Sequence, residues 1–259
     1  MAINNVVGQI IVTRHVESKK EQGKTDLTRG ITPEGYDQAK QLGKYIIEHY
    51  ITGDIKITAV GSGMERSRRS LDGIAEGLSK DLEIKDRVEL SAVEFEIPAV
   101  IVDGAKLGYG GKGDKIAYIA KEHKDGRKVQ AYNQDVQNIG NGYFVFLHDM
   151  IERMHENECI ITSGHGPSER SHLIQLADNL RNRETADRIY DFLIKNGGTE
   201  KGWISCSYLV TRNREVYLIL GDKDSRPLEV EVETIKKLAD MYDNEKHKRN
   251  IEQAKQEVY

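Results

Sequence analysis

Two cysteines, four prolines and a single tryptophan are all that the 259 residues contain of these types. Two thiols cannot build a disulfide framework. Cys159 and Cys206 each lie in an apolar, strand-like run, where a buried free thiol is ordinary. Long apolar runs are also missing: no window approaches the roughly 18 consecutive apolar residues that a bilayer span requires. Residues 1–8 carry no basic segment leading into such a run, so no leader is expected and the protein is expected in the cytoplasm. Charge of one sign is lacking too. Lys plus Arg number 38 against 42 Asp plus Glu, a net charge of −4 that offers no global attraction to nucleic acid or to an anionic membrane. Neither is expected as a partner. What is present, 38% hydrophobic and 31% charged residues, suits a globular chain with a sizeable core, and at about 150 residues per domain the length allows one domain or two.

Periodicity then divides the chain. Residues 9–13 are a short β-rich run, and the polar stretch 14–30 behind it has no repeating apolar face, so a buried strand feeds a long loop. Thr32-Pro33-Glu34 is a helix start, with Thr as cap and Pro where a donor has no partner, and Ala39, Leu42 and Ile46 supply the packed face. Residues 55–60 form a second strand closed by Gly61-Ser62-Gly63 before a helix with Met64, Leu71, Ile74, Ala75 and Leu78 on one stripe. Residues 158–163 form a third, closed by Gly164-His165-Gly166-Pro167 ahead of Leu173, Ile174 and Ala177. Three strand–turn–helix units predict an α/β fold. Residues 203–211 and 215–220, flanking Arg212-Asn213-Arg214, predict an antiparallel hairpin. The expected architecture is a three-layer α/β/α sandwich with a mostly parallel, mixed central sheet. Residues 1–226 are expected to form the catalytic domain, with an insertion at about 98–157 covering the site and a helix from about 142 to 154 within it. Residues 227–259 read as a charged helical extension in which the spacing of Val232, Ile235 and Leu238 fades beyond Tyr242. Sequence alone leaves these two regions open between substrate capture and formation of a homodimer.

In an open α/β sheet, ligands bind where strands end at their carboxyl edge. Those positions hold Arg14-His15-Val16-Glu17 after the first strand, Ser62 and Arg66 after the second, and His165 after the third. Arginine presents a planar, permanently charged fork matched to phosphate oxygens, and a neutral imidazole nitrogen is a competent nucleophile. Together they suit phosphoryl transfer through a phosphohistidine.

At these residues the chain resembles the histidine phosphatase superfamily, also called phosphoglycerate-mutase-like, whose hallmark is an Arg-His dipeptide after the first strand. Thr13-Arg14-His15-Val16-Glu17 is similar to that motif. Leu27-Thr28 with Thr32-Pro33-Glu34-Gly35 resembles the family's helix entry, residues 62–70 its second-arginine motif, and Gly164-His165-Gly166 its second-histidine motif. The resemblance implies a phosphoglycerate-mutase-like fold in which His15 attacks phosphorus, Arg14 and Arg66 hold phosphoryl oxygens, and His165 steadies the transition state, with no metal and no cofactor. It also implies a small phosphorylated substrate or a phosphoprotein.

The general acid departs from the pattern. In Leu90-Ser91-Ala92-Val93-Glu94-Phe95-Glu96, Ala92 stands where the family usually has glutamate. Glu94 is the expected acid, with Glu96 and Glu89 behind it. Val16 replaces the glycine usual after the histidine, so a left-handed backbone is disfavoured there and a wider loop is expected. A phosphomonoesterase is the leading reading. A phosphoglycerate-type mutase, or a non-catalytic phospholigand-binding module that has lost its acid, are the alternatives.

Other features read more plainly. Arg68 and Arg69 are expected on the surface, and Glu17 is either solvated or orients its loop. Residues 108–113 match GxGxxG but follow no strand, and Asp114 stands where a P-loop needs lysine. His148 and His155, seven apart, lack a metal-ligand pattern. His49, His123, His172 and His247 are expected to be exposed.

Overall fold

The computed structural model describes residues 3, 5–18, 22–24, 28–51, 55–62, 64–78, 83–86, 101–102, 105–106, 114–129, 132, 134–196, 202–221, 225–243 and 245. In chain order the elements are β1 (Val6–Arg14), α1 (Pro33–His49), β2 (Lys56–Gly61), α2 (Glu65–Leu78), β3 (Glu83–Asp86), β4 (Ile101–Val102), β5 (Ala105–Lys106), α3 (Lys115–Lys124), α4 (Gln134–Arg153), β6 (Glu158–Gly164), α5 (Gly166–Asn179), α6 (Arg183–Asn196), β7 (Ile204–Thr211), β8 (Val216–Leu220), β9 (Leu228–Val230) and α7 (Val232–Asp240). Seven strands make one sheet in the order β3-β2-β6-β1-β7-β8-β9, and β4 pairs with β5 separately. The first four strands of that order run parallel, and β7, β8 and β9 are joined antiparallel.

Alternation along the central strands assigns the two faces. Ile10 and Val12 of β1 and Ile160 of β6 join Phe144, Leu147, Leu173 and Ile235 of α4, α5 and α7 in one core. Ile11, Cys159 and Ile161 point the other way, into a second core with Ala39, Leu42, Ile46, Leu71 and Ile74 of α1 and α2. The side-chain period of two thus fills both faces of one sheet with apolar residues. This is the three-layer α/β/α sandwich with a mixed sheet that the sequence predicts. Both cysteines are free and buried, as expected.

Local signals explain several boundaries. Thr32 caps α1 by accepting the Gly35 amide at 3.0 Å, with Pro33 in the first turn. Asp114 caps α3 through the Ala117 amide at 3.0 Å, which gives that residue a structural role after the glycine-rich stretch. Helices α1 and α2 touch backbone to backbone, because a Cβ on Gly43 would meet the Ile74 carbonyl and one on Gly77 the Lys40 carbonyl.

Three expectations need correction. The helix expected from about 142 begins at Gln134, so α4 has 20 residues. Strands β3 and β9 and helices α3 and α6 had not been anticipated. Two histidines expected to be exposed are not: the His123 side chain is nine-tenths buried against Asp178 and Tyr132, and His172 is fully buried, its Nε2 2.9 Å from the Tyr208 hydroxyl and its ring stacked on Tyr143 at 4.4 Å. Its place on the inner face of α5, among buried neighbours from β7 and α4, could not be read from a helix with so many polar residues. Arg68 and Arg69 are half exposed, as expected. Among the described residues no helix is long and apolar enough to cross a membrane.

Burial holds the phenols of Tyr132, Tyr208 and Tyr190 above their usual range, and for Tyr190 the bond to Asp178 adds to it. A raised acid favours the protonated form in the folded state. Its contribution is therefore complete below the unfolded pKa of about 10 and is lost as pH rises beyond it. The urea midpoint should hold steady up to about pH 10 and then fall, with phenolate absorbance from these three rings appearing only as the chain unfolds. A midpoint that stays level while all twelve tyrosines ionise would contradict this burial.

Candidate active site

Strands β2, β6 and β1 lie side by side and end level, with Arg14 opposite Gly164 and Gly61 opposite Ser163. His15 and His165 each follow a strand end by one residue, so parallel pairing alone brings them together. The His15 amide donates to the Gly164 carbonyl at 3.0 Å, and the two imidazole centroids are 5.1 Å apart at 54°. Both side chains are 1% exposed.

The hydrogen bonds define which nitrogen does what. His15 Nδ1 lies 2.7 Å from the Val16 carbonyl oxygen, which can only accept, so Nδ1 carries the proton and Nε2 the lone pair of the neutral ring. Arg66, in the first turn of α2 and fully buried, places Nη2 3.2 Å from His165 Nδ1. A guanidinium only donates, so Nδ1 accepts and His165 Nε2–H donates to Ser62 Oγ at 2.8 Å. Ser62, His165 and Arg66 therefore form one chain of hydrogen bonds that orients the cation and the second ring.

The loop carrying His15 is tied to α2 by a hydroxyl. Ser70 Oγ accepts the Val16 amide at 3.1 Å and donates to the Arg66 carbonyl at 2.7 Å, so the segment behind the first histidine and the turn bearing the arginine share one atom. Ser67 supplies a second tie. Its hydroxyl donates to the Ser163 carbonyl at 2.6 Å and accepts the Ser62 amide at 3.0 Å, joining α2 to β6 and to the turn after β2. On the other side, the Gly202 amide donates to the His15 carbonyl at 3.2 Å.

Val16 avoids the left-handed backbone, as expected. Its backbone is absent from the positive-φ positions, and its side chain is fully buried in the core beneath α1 and α2. Gly202, at φ +71°, takes the left-handed conformation instead, and a Cβ there would lie 3.1 Å from Val16 Cγ1. The valine is accommodated by a glycine 186 positions later in the chain. Glu17 is exposed, and its carbonyl accepts the Thr32 amide at 3.1 Å.

His15, His165 and Arg66 are thus brought together. Arg14 ends β1, half-buried, with its amide donating to the Trp203 carbonyl at 3.2 Å. Glu94, Glu96, Glu89 and Ala92 lie outside the described residues, as does the glycine-rich stretch 108–113. Sequence reasoning did not assign Ser62, Ser67 or Ser70 a role; their spacing of five and three along one turn-and-helix segment is the signal that was available. Tyr143 and Phe146 of α4 also reach the site's edge, where with Ser62 and Gly164 they border a small crevice of about 30 Å³.

No protein-family model matches the chain, and no curated protein matches it in sequence. Solved structures do match. A mycobacterial protein described as hydrolase 2 aligns at a TM-score of 0.50 and 9% identity over 91% of this chain and 97% of its own. The chain shares that hydrolase's fold. A phosphoserine phosphatase variant from Entamoeba histolytica, in complex with phosphoserine, aligns at 0.44 and 16% identity over 88% and 98%. The mycobacterial glucosyl-3-phosphoglycerate phosphatase Rv2419c aligns at 0.45 and 8% over 85% and 96%. At such identities the likeness is one of fold, and it rests on the first of the three.

Ser70→Ala would leave the buried Val16 amide without its acceptor, at a cost of about 1–3 kcal/mol in urea unfolding. Ser70→Thr, which keeps the hydroxyl, should lose much less. Equal losses in the two variants would show that the bridge does not hold the loop.

Proposed function

We propose that this chain is a phosphatase of the histidine phosphatase superfamily, which hydrolyses phosphate monoesters through a phosphohistidine formed on His15. The observation that carries the reading is the pairing of two buried histidines across adjacent strand ends, the first with its Nδ1 proton committed to a backbone carbonyl and the second hydrogen-bonded to a buried arginine. The motif order in the sequence supports it independently.

In the proposed reaction the ester's phosphoryl group sits over His15, with its non-bridging oxygens on Arg66 and Arg14. His15 Nε2 attacks phosphorus as the P–O bond to the leaving group breaks, giving phospho-His15 and an alkoxide that takes a proton from the general acid. Glu94 is the proposed acid, with Glu96 and Glu89 next. Water then attacks phosphorus, the N–P bond breaks and inorganic phosphate leaves, the carboxylate having accepted the water's proton. Splitting the displacement in two lowers each barrier, and the guanidinium charge meets the developing negative charge on the equatorial oxygens. His165 holds the second arginine in position, and Ser62 holds His165. A small phosphorylated metabolite or a phosphoprotein is the proposed substrate class, in the cytoplasm, with no metal in the reaction scheme.

The test is a panel of phosphate esters assayed on wild type, His15→Ala and Glu94→Gln. Wild-type protein quenched during turnover should carry acid-labile phosphate, and His15→Ala should lose that label together with at least about 10³-fold of kcat. Turnover by His15→Ala at the wild-type rate would refute the mechanism. Glu94→Gln should cost about 10²-fold on alkyl esters and far less on p-nitrophenyl phosphate, whose leaving group needs no proton. Equal losses on both esters would remove Glu94 from the role of acid.

A further inference from the structure

Helix α5 begins beside His165 and carries its far end about 20 Å away, at 1.5 Å per residue, to a second cavity. That cavity measures about 480 Å³ and lies where the ends of α3 and α5 meet the start of α6. Its size falls within the roughly 300–1,000 Å³ range of small-molecule sites.

The inner wall is built of ordered polar groups. Asp178 accepts from His123 Nδ1 at 3.0 and 3.1 Å and from the Tyr190 hydroxyl. The edge of Tyr132 meets the His123 ring at 5.0 Å, and the Tyr132 hydroxyl donates to the Ser171 carbonyl at 3.0 Å. The His123 side chain is nine-tenths buried, and its Nε2 makes no hydrogen bond among the described residues. Ala177, Leu180, Ala186 and Met241 add apolar surface to the same cavity.

The rim is cationic. Arg127, Lys128, Arg181 and Arg183 line it, and among the described residues Asp178 is the one acidic residue in the lining, already engaged by His123 and Tyr190. Two of the cations are fixed from behind: Arg127 by Glu122 at 2.6 Å and Asp125 at 2.7 Å, and Arg183 by Asp187 at 3.0 Å and the Lys124 carbonyl at 2.7 Å. Lys128 and Arg181 are exposed, and Arg181 makes only a long ion pair, 3.8 Å, with Glu231 among the described residues. Their charge is thus available to a ligand.

We propose that this cavity is a second ligand site, separate from the catalytic histidines, for a small organic anion with a flat apolar body. The body lies against Leu180, Ala186 and Met241, and the carboxylate, sulfonate or phosphate group meets Lys128 and Arg181. A bare inorganic anion would leave the apolar wall uncovered, and a neutral aromatic would leave the rim charge unanswered.

The probe is 1-anilinonaphthalene-8-sulfonate, whose fluorescence rises on binding, titrated against the folded full-length chain. Saturable binding at one site is expected, unchanged in His15→Ala and not displaced by inorganic phosphate at levels that fill the catalytic site. Lys128→Glu combined with Arg181→Glu, both exposed positions, should weaken it at least about tenfold, equivalent to about 1.4 kcal/mol. The uncharged analogue N-phenyl-1-naphthylamine should also bind at least about tenfold more weakly. A double variant that binds within twofold of wild type, displacement by phosphate, or non-saturable fluorescence would each overturn the proposal. Because the readout is binding at a remote site, it stands or falls apart from the phosphatase reaction.

Discussion

The parallel pairing of β1 with β6, in register from Gly8 opposite Glu158 to Arg14 opposite Gly164, is the constraint on which the rest depends. Both strands are sealed between two helical layers, so a slip of one residue would turn every apolar side chain to the wrong core. The register is therefore held by the whole hydrophobic interior. His15 and His165 inherit their spacing from it, one residue beyond the last paired positions.

Burial of Arg66 comes next in importance. A guanidinium removed from water is costly unless its donors are met, and one of them is met by His165 Nδ1. That contact sets the tautomer of the second histidine, and Ser62 takes the remaining ring proton. Charge and proton positions in the site are consequently fixed by the folded chain itself. The serines at 67 and 70 extend the same arrangement to the backbone, since each uses one hydroxyl both to donate and to accept between segments that pack together only in the folded chain.

Much of this was legible beforehand. The strand–turn–helix units, the cap at Thr32, the hairpin of β7 and β8 and the residues at the three strand ends all leave local signals, because alternation and capping act within a few positions of the chain. The exchange between Val16 and Gly202 left none: a side chain and the glycine that makes room for it are separated by most of the sequence, and only packing relates them. His172 was misjudged for a similar reason. Helix α5 is buried all round from Arg170 to Ala177, so its polar residues there do not mark a solvent face, and the partners of His172 come from α4 and β7. The start of α4 is not legible locally, because Asn138 in its early turns bonds the Asp243 carbonyl, a contact only the folded chain makes.

From the sequence by itself came the class of fold, the order of its central units and the identity of the two histidines and the arginine, since each follows from short-range periodicity or from a residue placed next to a strand end. Tertiary structure decided which nitrogen of each ring carries the proton, how the loop behind His15 is held to α2, and that a cavity with a cationic rim opens at the far end of α5. Those outcomes depend on atoms from segments far apart in the chain meeting within about 3 Å, the reach of a hydrogen bond, and no local pattern encodes such a meeting.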